Sequence, residues 1–202
     1  MRTAKHLAHG ITRYAAGETI VAQGDPSRAI YEVARGRVRL EVLDEQGRRE
    51  VVAFLFSGDI LCAGLSWNWA SATALSSCEL RAFQIRGVMG VAERNVCGAT
   101  SILKTLEFQL NNMAQHLTRI CKTDARARLW WFMCWLATRS EATPRFELPP
   151  RADIADFLGM APETISRLLQ SMEDEGLIRR FSDRRCEIVV KFQGQERAPA
   201  LC

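Results

Sequence analysis

Over residues 1–90, short apolar or alternating stretches are separated by glycine-centred polar corners. Glu18–Ala22 stands before Gly24-Asp25, Ile30–Val33 before Gly36, and Val38–Leu43 alternates ahead of an Asp44–Gly47 turn. Glu50–Phe56 then runs into Gly58-Asp59, and Glu79–Ile85 closes the series. Strands at intervals of about ten residues, punctuated by turn signals, predict a small antiparallel sandwich or roll. Glycine supplies the positive φ that such corners need, and the Asp after it can hydrogen-bond the local backbone.

The period changes near residue 90. Ala99, Leu103, Leu106, Leu110, Met113, Leu117 and Ile120 follow alternating steps of four and three. That spacing predicts a long helix over 91–122 with a narrow apolar seam, suited to pairing with the same helix of a second copy. The alternative is a single helix laid on the β-domain. Lys104, Glu107, Gln109 and Asn111 surround the stripe with polar side chains. Asp124 is placed to cap a further helix in which Leu129–Leu136 is buried on most sides.

Beyond it, Asp153–Leu158 reads as a short helix, Gly159-Met160 as a tight turn, and Pro162–Met172 as a second helix with Pro at its first position. Two short helices joined by a glycine turn form a helix-turn-helix, whose second helix enters the major groove. On that helix Glu163, Ser166 and Arg167 share one face, while Ile165, Leu168, Leu169 and Met172 take the other. Leu177–Phe181 and Glu187–Lys191 then pair as a hairpin wing. Arg179, Arg180, Arg184 and Arg185 lie on it, suited to phosphate contact together with Arg151 and Thr164. The fold class is therefore α+β: a roll over 1–90, a dimerisation helix over 91–122 and a winged helix-turn-helix over 123–202.

Composition adds exclusions. A chain that is 48% hydrophobic and 25% charged is that of a globular protein rather than a disordered one. The longest apolar runs, Val51–Phe56 and Leu129–Ala137, fall short of the ~20 residues that cross a bilayer. No continuous apolar segment opens the sequence as in a signal peptide, so the expectation is a cytoplasmic protein without membrane contact. Net charge is +4, with 14 basic and 11 acidic residues over 1–121 and 13 and 12 over 122–202. Any nucleic-acid surface must therefore be local. Arg supplies 23 of the 27 cations, and Arg suits bidentate contact with phosphate and guanine.

Seven widely spaced cysteines make no CxxC or Cys/His ligand pair, which argues against zinc and against a disulfide framework. Three histidines, none beside a candidate nucleophile, and the absence of a phosphate loop or a paired-carboxylate motif leave no basis for an enzyme. Cys186 allows two readings. Beside Arg184 and Arg185 it could be an exposed thiolate whose oxidation repels DNA, a redox switch. On a strand it would instead turn into the core beneath the wing, where it only fills space.

In this order the parts resemble the CRP/FNR superfamily of bacterial transcription regulators, over residues 11–192. The strongest stretch is Phe146–Ile178, FELPPRADIADFLGMAPETISRLLQSMEDEGLI, supported by the corners Gly17-Glu18-Thr19-Ile20, Gly24-Asp25, Gly36-Arg37-Val38 and Gly58-Asp59. Cyclic-nucleotide-binding members carry a Gly-Glu and then an Arg-Ser or Arg-Thr pair. Here Ala63 stands where the Glu would be, and Trp67–Thr73 contains no Arg, so cyclic AMP is not expected. Cys78 resembles the roll ligand of the iron–sulfur branch, but no cysteine precedes Cys62, and a cluster needs four ligands. No cofactor is expected. A ligand- or haem-gated alternative would use His6, His9 or Cys62 for haem, or Trp67, Trp69 and Phe54 around an aromatic effector.

Pro162-Glu163-Thr164-Ile165-Ser166-Arg167 resembles the Glu-x-x-Ser-Arg pattern of FNR and FixK-like regulators. The resemblance implies that Glu163 accepts from cytosine, Ser166 approaches thymine and Arg167 bridges guanine, pairings that groove geometry permits. It also implies a TTGAT–N4–ATCAA palindrome, a homodimer meeting through Leu103, Leu106, Leu110, Met113, Leu117 and Ile120, and RNA polymerase as a partner. At position 161 the family's helix-capping Ser or Thr is replaced by Ala.

Overall fold

The computed structural model describes residues 8–94, 96–139 and 145–189. Its first part holds eight strands: β1 (Ala8–Tyr14), β2 (Thr19–Val21), β3 (Ala29–Arg35), β4 (Val38–Leu43), β5 (Arg49–Leu55), β6 (Ile60–Leu61), β7 (Ser71–Ala74) and β8 (Cys78–Gln84). They form two four-stranded antiparallel sheets, ordered β1-β8-β3-β6 and β2-β7-β4-β5. Alternation along β4, β7 and β8 sends Val38, Leu40, Ala72, Ala74, Cys78 and Leu80 into one core with Val33, Leu61 and Ala70.

Five of these strands sit where the sequence predicts them; β1, β6 and β7 do not appear in that reading. β7 explains why. Its sequence is Ser-Ala-Thr-Ala, and alanine is a poor strand former, yet it lies centrally between β2 and β4 with Ala72 and Ala74 fully buried. Tertiary pairing overrides propensity there. A close approach also fixes the corner after β3. Gly36 has φ 100°, and a Cβ on it would lie 2.6 Å from the Ser77 carbonyl and 2.9 Å from Cys78 Cα. Only glycine lets the two corners touch.

Helix α1 (Ile85–Arg94) follows β8 directly, and α2 (Val96–Lys122) is the long helix. The chain divides into two compact units inside α2, between Gln109 and Leu110. In the first unit the Gln109 side-chain amide donates to the Ile60 carbonyl at 3.0 Å, fixing that stretch of α2 to β6. The seam residues Leu103, Leu106, Leu110, Met113 and Leu117 are exposed, from 43% at Leu106 to 70% at Leu110, and Ile120 is half-buried. The Ala99 side chain lies outside the described residues.

The second unit continues with α3 (Ala125–Arg139), β9 (Arg145–Glu147), α4 (Arg151–Leu158), α5 (Pro162–Asp174), β10 (Ile178–Arg180) and β11 (Arg185–Ile188). Asp124 caps α3 as expected, its Oδ1 accepting from the Ala127 amide at 2.7 Å. Arg128 reaches back to donate to the Ile120 and Thr123 carbonyls, both at 2.9 Å, satisfying orphan acceptors at the end of α2. Leu129, Phe132, Met133, Ile154, Ile165, Leu169 and Met172 are fully buried, and each such side chain contributes about 1.5–3 kcal/mol by leaving water. His116 on α2 stacks on Phe157 of α4 at 4.0 Å between ring centres. Burial holds the His116 pKa below its ordinary value, so the ring packs as neutral imidazole.

The hairpin pairs Ile178 with Ile188 and Arg180 with Cys186, around residues 181–184. It is not a free ribbon, because β9 adds a third antiparallel strand on β11. β9 is absent from the sequence reading, being only three residues long. The expected outer strand Glu187–Lys191 ends at Ile188, and Val190 and Lys191 lie outside the described residues. Among the described residues no helix is long and apolar enough to cross a membrane.

Candidate nucleic-acid interface

Helix α4 ends at Gly159, whose left-handed φ of 62° lets the chain reverse, and the Met160 amide closes the turn on the Ala155 carbonyl at 3.0 Å. Ala161 then takes the N-cap position of α5 in extended conformation, and Pro162 opens the first turn. Alanine offers no side-chain acceptor, so the first turn lacks a bond that Ser or Thr would provide, worth ~1 kcal/mol. With Ile165, Leu169 and Met172 fully inside, the helical period turns Glu163 and Arg167 outward. Both are exposed, Ser166 and Thr164 are half-buried, and among the described residues Glu163 and Arg167 have no side-chain partner. Glu163 also sits in the first turn, where the helix dipole favours a carboxylate.

The basic residues expected to meet phosphate separate into two groups. Arg179 and Arg185 are exposed and without a side-chain partner among the described residues. Arg180 turns back onto α5, where its Nε donates to Glu173 at 2.6 Å and Nη2 reaches Gln170. That ion pair holds the Glu173 carboxyl below the usual carboxylate range. Arg180 is thus a strut between β10 and α5 rather than a surface cation, because a carboxylate seven residues away satisfies it. Arg184 donates to the Leu148 carbonyl at 3.1 Å and pairs with Glu147 at 3.3 Å, which ties the wing to β9. Arg151, first residue of α4, donates to Ser166 Oγ at 2.8 Å and faces Asp183 of the hairpin at 3.7 Å.

The exposed-thiolate reading of Cys186 is corrected. Cys186 is 0% exposed, because alternation on β11 turns it inward between the outward Arg185 and Glu187. Burial pushes its thiol up to about 11 despite the nearby Arg180 and Arg151. At pH 8 about one such thiol in a thousand is ionised, and the thiolate is the form that reacts. A disulfide reagent at pH 8 is expected to label the exposed Cys121 and to reach Cys186 only after denaturation, as mass spectrometry of the digested protein would show. Labelling of native Cys186 at the rate of Cys121 would reverse the correction.

In the roll, the two segments that the resemblance aligns with those of cyclic-nucleotide-binding members lie side by side, with the Trp69 amide donating to the Ala63 carbonyl at 2.7 Å. The chemistry does not fit such a ligand. Ala63 is buried and supplies no carboxylate, and no Lys or Arg occurs from Ser57 to Ser77. Ser71 Oγ accepts from the Gln23 amide and the Thr73 hydroxyl is bonded to Glu41. These two segments themselves offer a cyclic phosphate no cation. Cys78, which resembles the roll ligand of the iron–sulfur branch, is wholly buried, its thiol within hydrogen-bond reach of the Arg37 and Ser76 carbonyls, and among the described residues no three His, Cys, Asp or Glu group around a metal position. Trp67 and Trp69 are exposed at 64% and 45% while Phe54 is buried, so these three do not enclose an aromatic effector. Cys62 is half-buried, its thiol directed at the Gly64 carbonyl; His6 and the His9 side chain lie outside the described residues.

Comparison with known proteins agrees with this architecture. Residues 11–95 match the cyclic nucleotide-binding domain family and residues 127–191 the Crp-like helix-turn-helix domain family. The nitrogen fixation regulation protein FixK of Rhizobium meliloti is 32% identical over 173 residues, covering 83% of this chain and 77% of that protein. FixK of Azorhizobium caulinodans is 31% identical over 184 residues, covering 85% and 72%. The solved structure of FixK2 from Bradyrhizobium japonicum superposes with a TM-score of 0.83 at 26% identity, covering 90% of this chain and 92% of that one. Together with a helix-turn-helix whose outward face is polar, these matches establish that the chain belongs to the CRP/FNR family as a FixK-like transcription regulator with a helix-turn-helix DNA-binding domain, not an enzyme.

Proposed function

We propose that the protein acts as a homodimer and reads an FNR/FixK-like palindrome, TTGAT–N4–ATCAA, in the cytoplasm, without cyclic nucleotide or iron–sulfur cluster and in partnership with RNA polymerase. The observation that carries this reading is the pair Glu163 and Arg167 on the outward face of α5, without side-chain partners among the described residues. A carboxylate accepts from cytosine N4 and a guanidinium bridges guanine O6 and N7, so the pair suits the two bases of one G·C pair in the major groove, the single G·C pair of each half-site. Arg179 and Arg185 supply cations for the phosphates. Two copies follow from the exposed stripe Leu103–Leu117, an apolar face that a second stripe of the same kind would cover.

The test is a titration of purified protein against a duplex carrying the palindrome and one with both half-sites scrambled, at fixed physiological salt. Preference of about a thousand-fold or more is expected. Equal affinity for the two duplexes would sink the assignment of the site.

A further inference from the structure

Ser166 is expected to meet a base, yet its hydroxyl is engaged inside the protein. Its Oγ donates back to the Pro162 carbonyl at 3.2 Å and accepts from Arg151 Nη1 at 2.8 Å. A serine hydroxyl has one proton, and the carbonyl one turn earlier takes it. What stands beside Ser166 with protons to give is the Arg151 guanidinium, whose side chain is 29% exposed. A guanidinium carries five N–H groups, and only one of them is directed to Ser166. Among the described residues its ion-pair partner is Asp183 in the hairpin, at 3.7 Å, with a side chain 97% exposed. That separation is an ion pair in water, which holds weakly. A DNA phosphate therefore competes well for the same guanidinium.

We propose that Arg151 is a specificity-determining positioning residue, which exchanges Asp183 for a backbone phosphate on binding while keeping its bond to Ser166, and so couples a phosphate contact to the base pair that Ser166 faces. This rests on α5 being the base-reading helix. Phosphate contacts fix register and carry no sequence information directly. Here register and readout share one side chain. With the guanidinium held by a phosphate, the Ser166 hydroxyl stays turned toward Pro162 and presents its Cβ and lone pair rather than a donor. That surface suits a T·A pair, with the Cβ against the thymine methyl and the lone pair accepting from adenine N6. Without Arg151 the hydroxyl is free to rotate and donate to any acceptor on the base edge, and discrimination at that pair falls.

The experiment selects bound duplexes from a library randomised at every half-site position, using wild type, Arg151→Ala, Arg151→Lys, Ser166→Ala, the double variant Arg151→Ala with Ser166→Ala, and Arg167→Ala. Arg151→Ala and Ser166→Ala are expected to flatten preference at one and the same base pair, each by about five-fold. The double variant should flatten it no further, and Lys, which can donate to Ser166 and to a phosphate, should restore part of it. Asp183→Asn should tighten binding to all sequences. Arg151→Ala that weakens every sequence equally with its preferences intact would reduce Arg151 to a phosphate contact and overturn the coupling. Additive losses at different base pairs would overturn it too. Arg167→Ala separates the premises. If its preference profile also stays unchanged, α5 does not read bases and the proposal falls with that reading. If Arg167→Ala relaxes its own base pair while Arg151→Ala does not, the coupling alone is wrong. Thermal unfolding of each variant confirms that losses come from folded protein.

Discussion

Leu110→Glu is expected to convert the protein to a monomer in light scattering and to remove its DNA binding with little change in the thermal stability of the single chain. Leu110 is 70% exposed at the middle of the stripe, so a carboxylate there meets water in the monomer. In a dimer formed through that stripe, two carboxylates would face each other away from water. An uncompensated buried charge costs about 3–5 kcal/mol, which weakens the association of the two chains by more than about a hundred-fold. DNA affinity follows, because a monomer reaches one half-site. A variant that remains dimeric at unchanged affinity would show that the stripe is not where two copies meet.

Arg167→Ala should act on sequence reading alone. Its guanidinium has no partner among the described residues, so the fold loses nothing when it goes. A bidentate arginine–guanine contact discriminates by about 1–3 kcal/mol. Two half-sites double the loss, and a mid-range value corresponds to about a thousand-fold in affinity for the palindrome. Scrambled DNA should bind as before. Arg185→Ala is the contrast: it should weaken both duplexes and lower the slope of log affinity against log salt by about one unit per contact. Uniform loss in both variants would mean that Arg167 touches phosphate rather than a base.

What was legible in the sequence divides along physical lines. Strands β4 and β8 are legible because apolar and polar side chains alternate on them, β5 because its apolar run ends in a glycine turn, and the turn at Gly159 because its positive φ favours glycine. β7 is hidden because its alternating residues are alanines, whose burial is decided by neighbours distant in sequence. The face of α5 follows from helical period, so the outward position of Glu163 and Arg167 is a local property. The fate of the arginines is not. Arg180 and Arg184 look alike as sequence, but the carboxylate and carbonyl that bind them come from α5 and from the segment after β9. Cys186 shows the same limit: strand alternation gives two faces, and only the packing of β11 against the core decides between them.

The end of α2 belongs to the same compact unit as the helix-turn-helix. Its His116 is stacked on Phe157, its last carbonyls are held by Arg128, and Ile120 lies 3.7 Å from where a Cβ on Gly159 would stand. In a dimer closed through Leu110, Met113 and Leu117, these contacts make each half of the molecule a ruler whose origin is the twofold axis. The gap between two half-sites would then be set within this unit. A four-base spacer would be dictated by how α3 and α4 brace the end of one helix, and the roll could alter how often the ruler is laid down without changing its length.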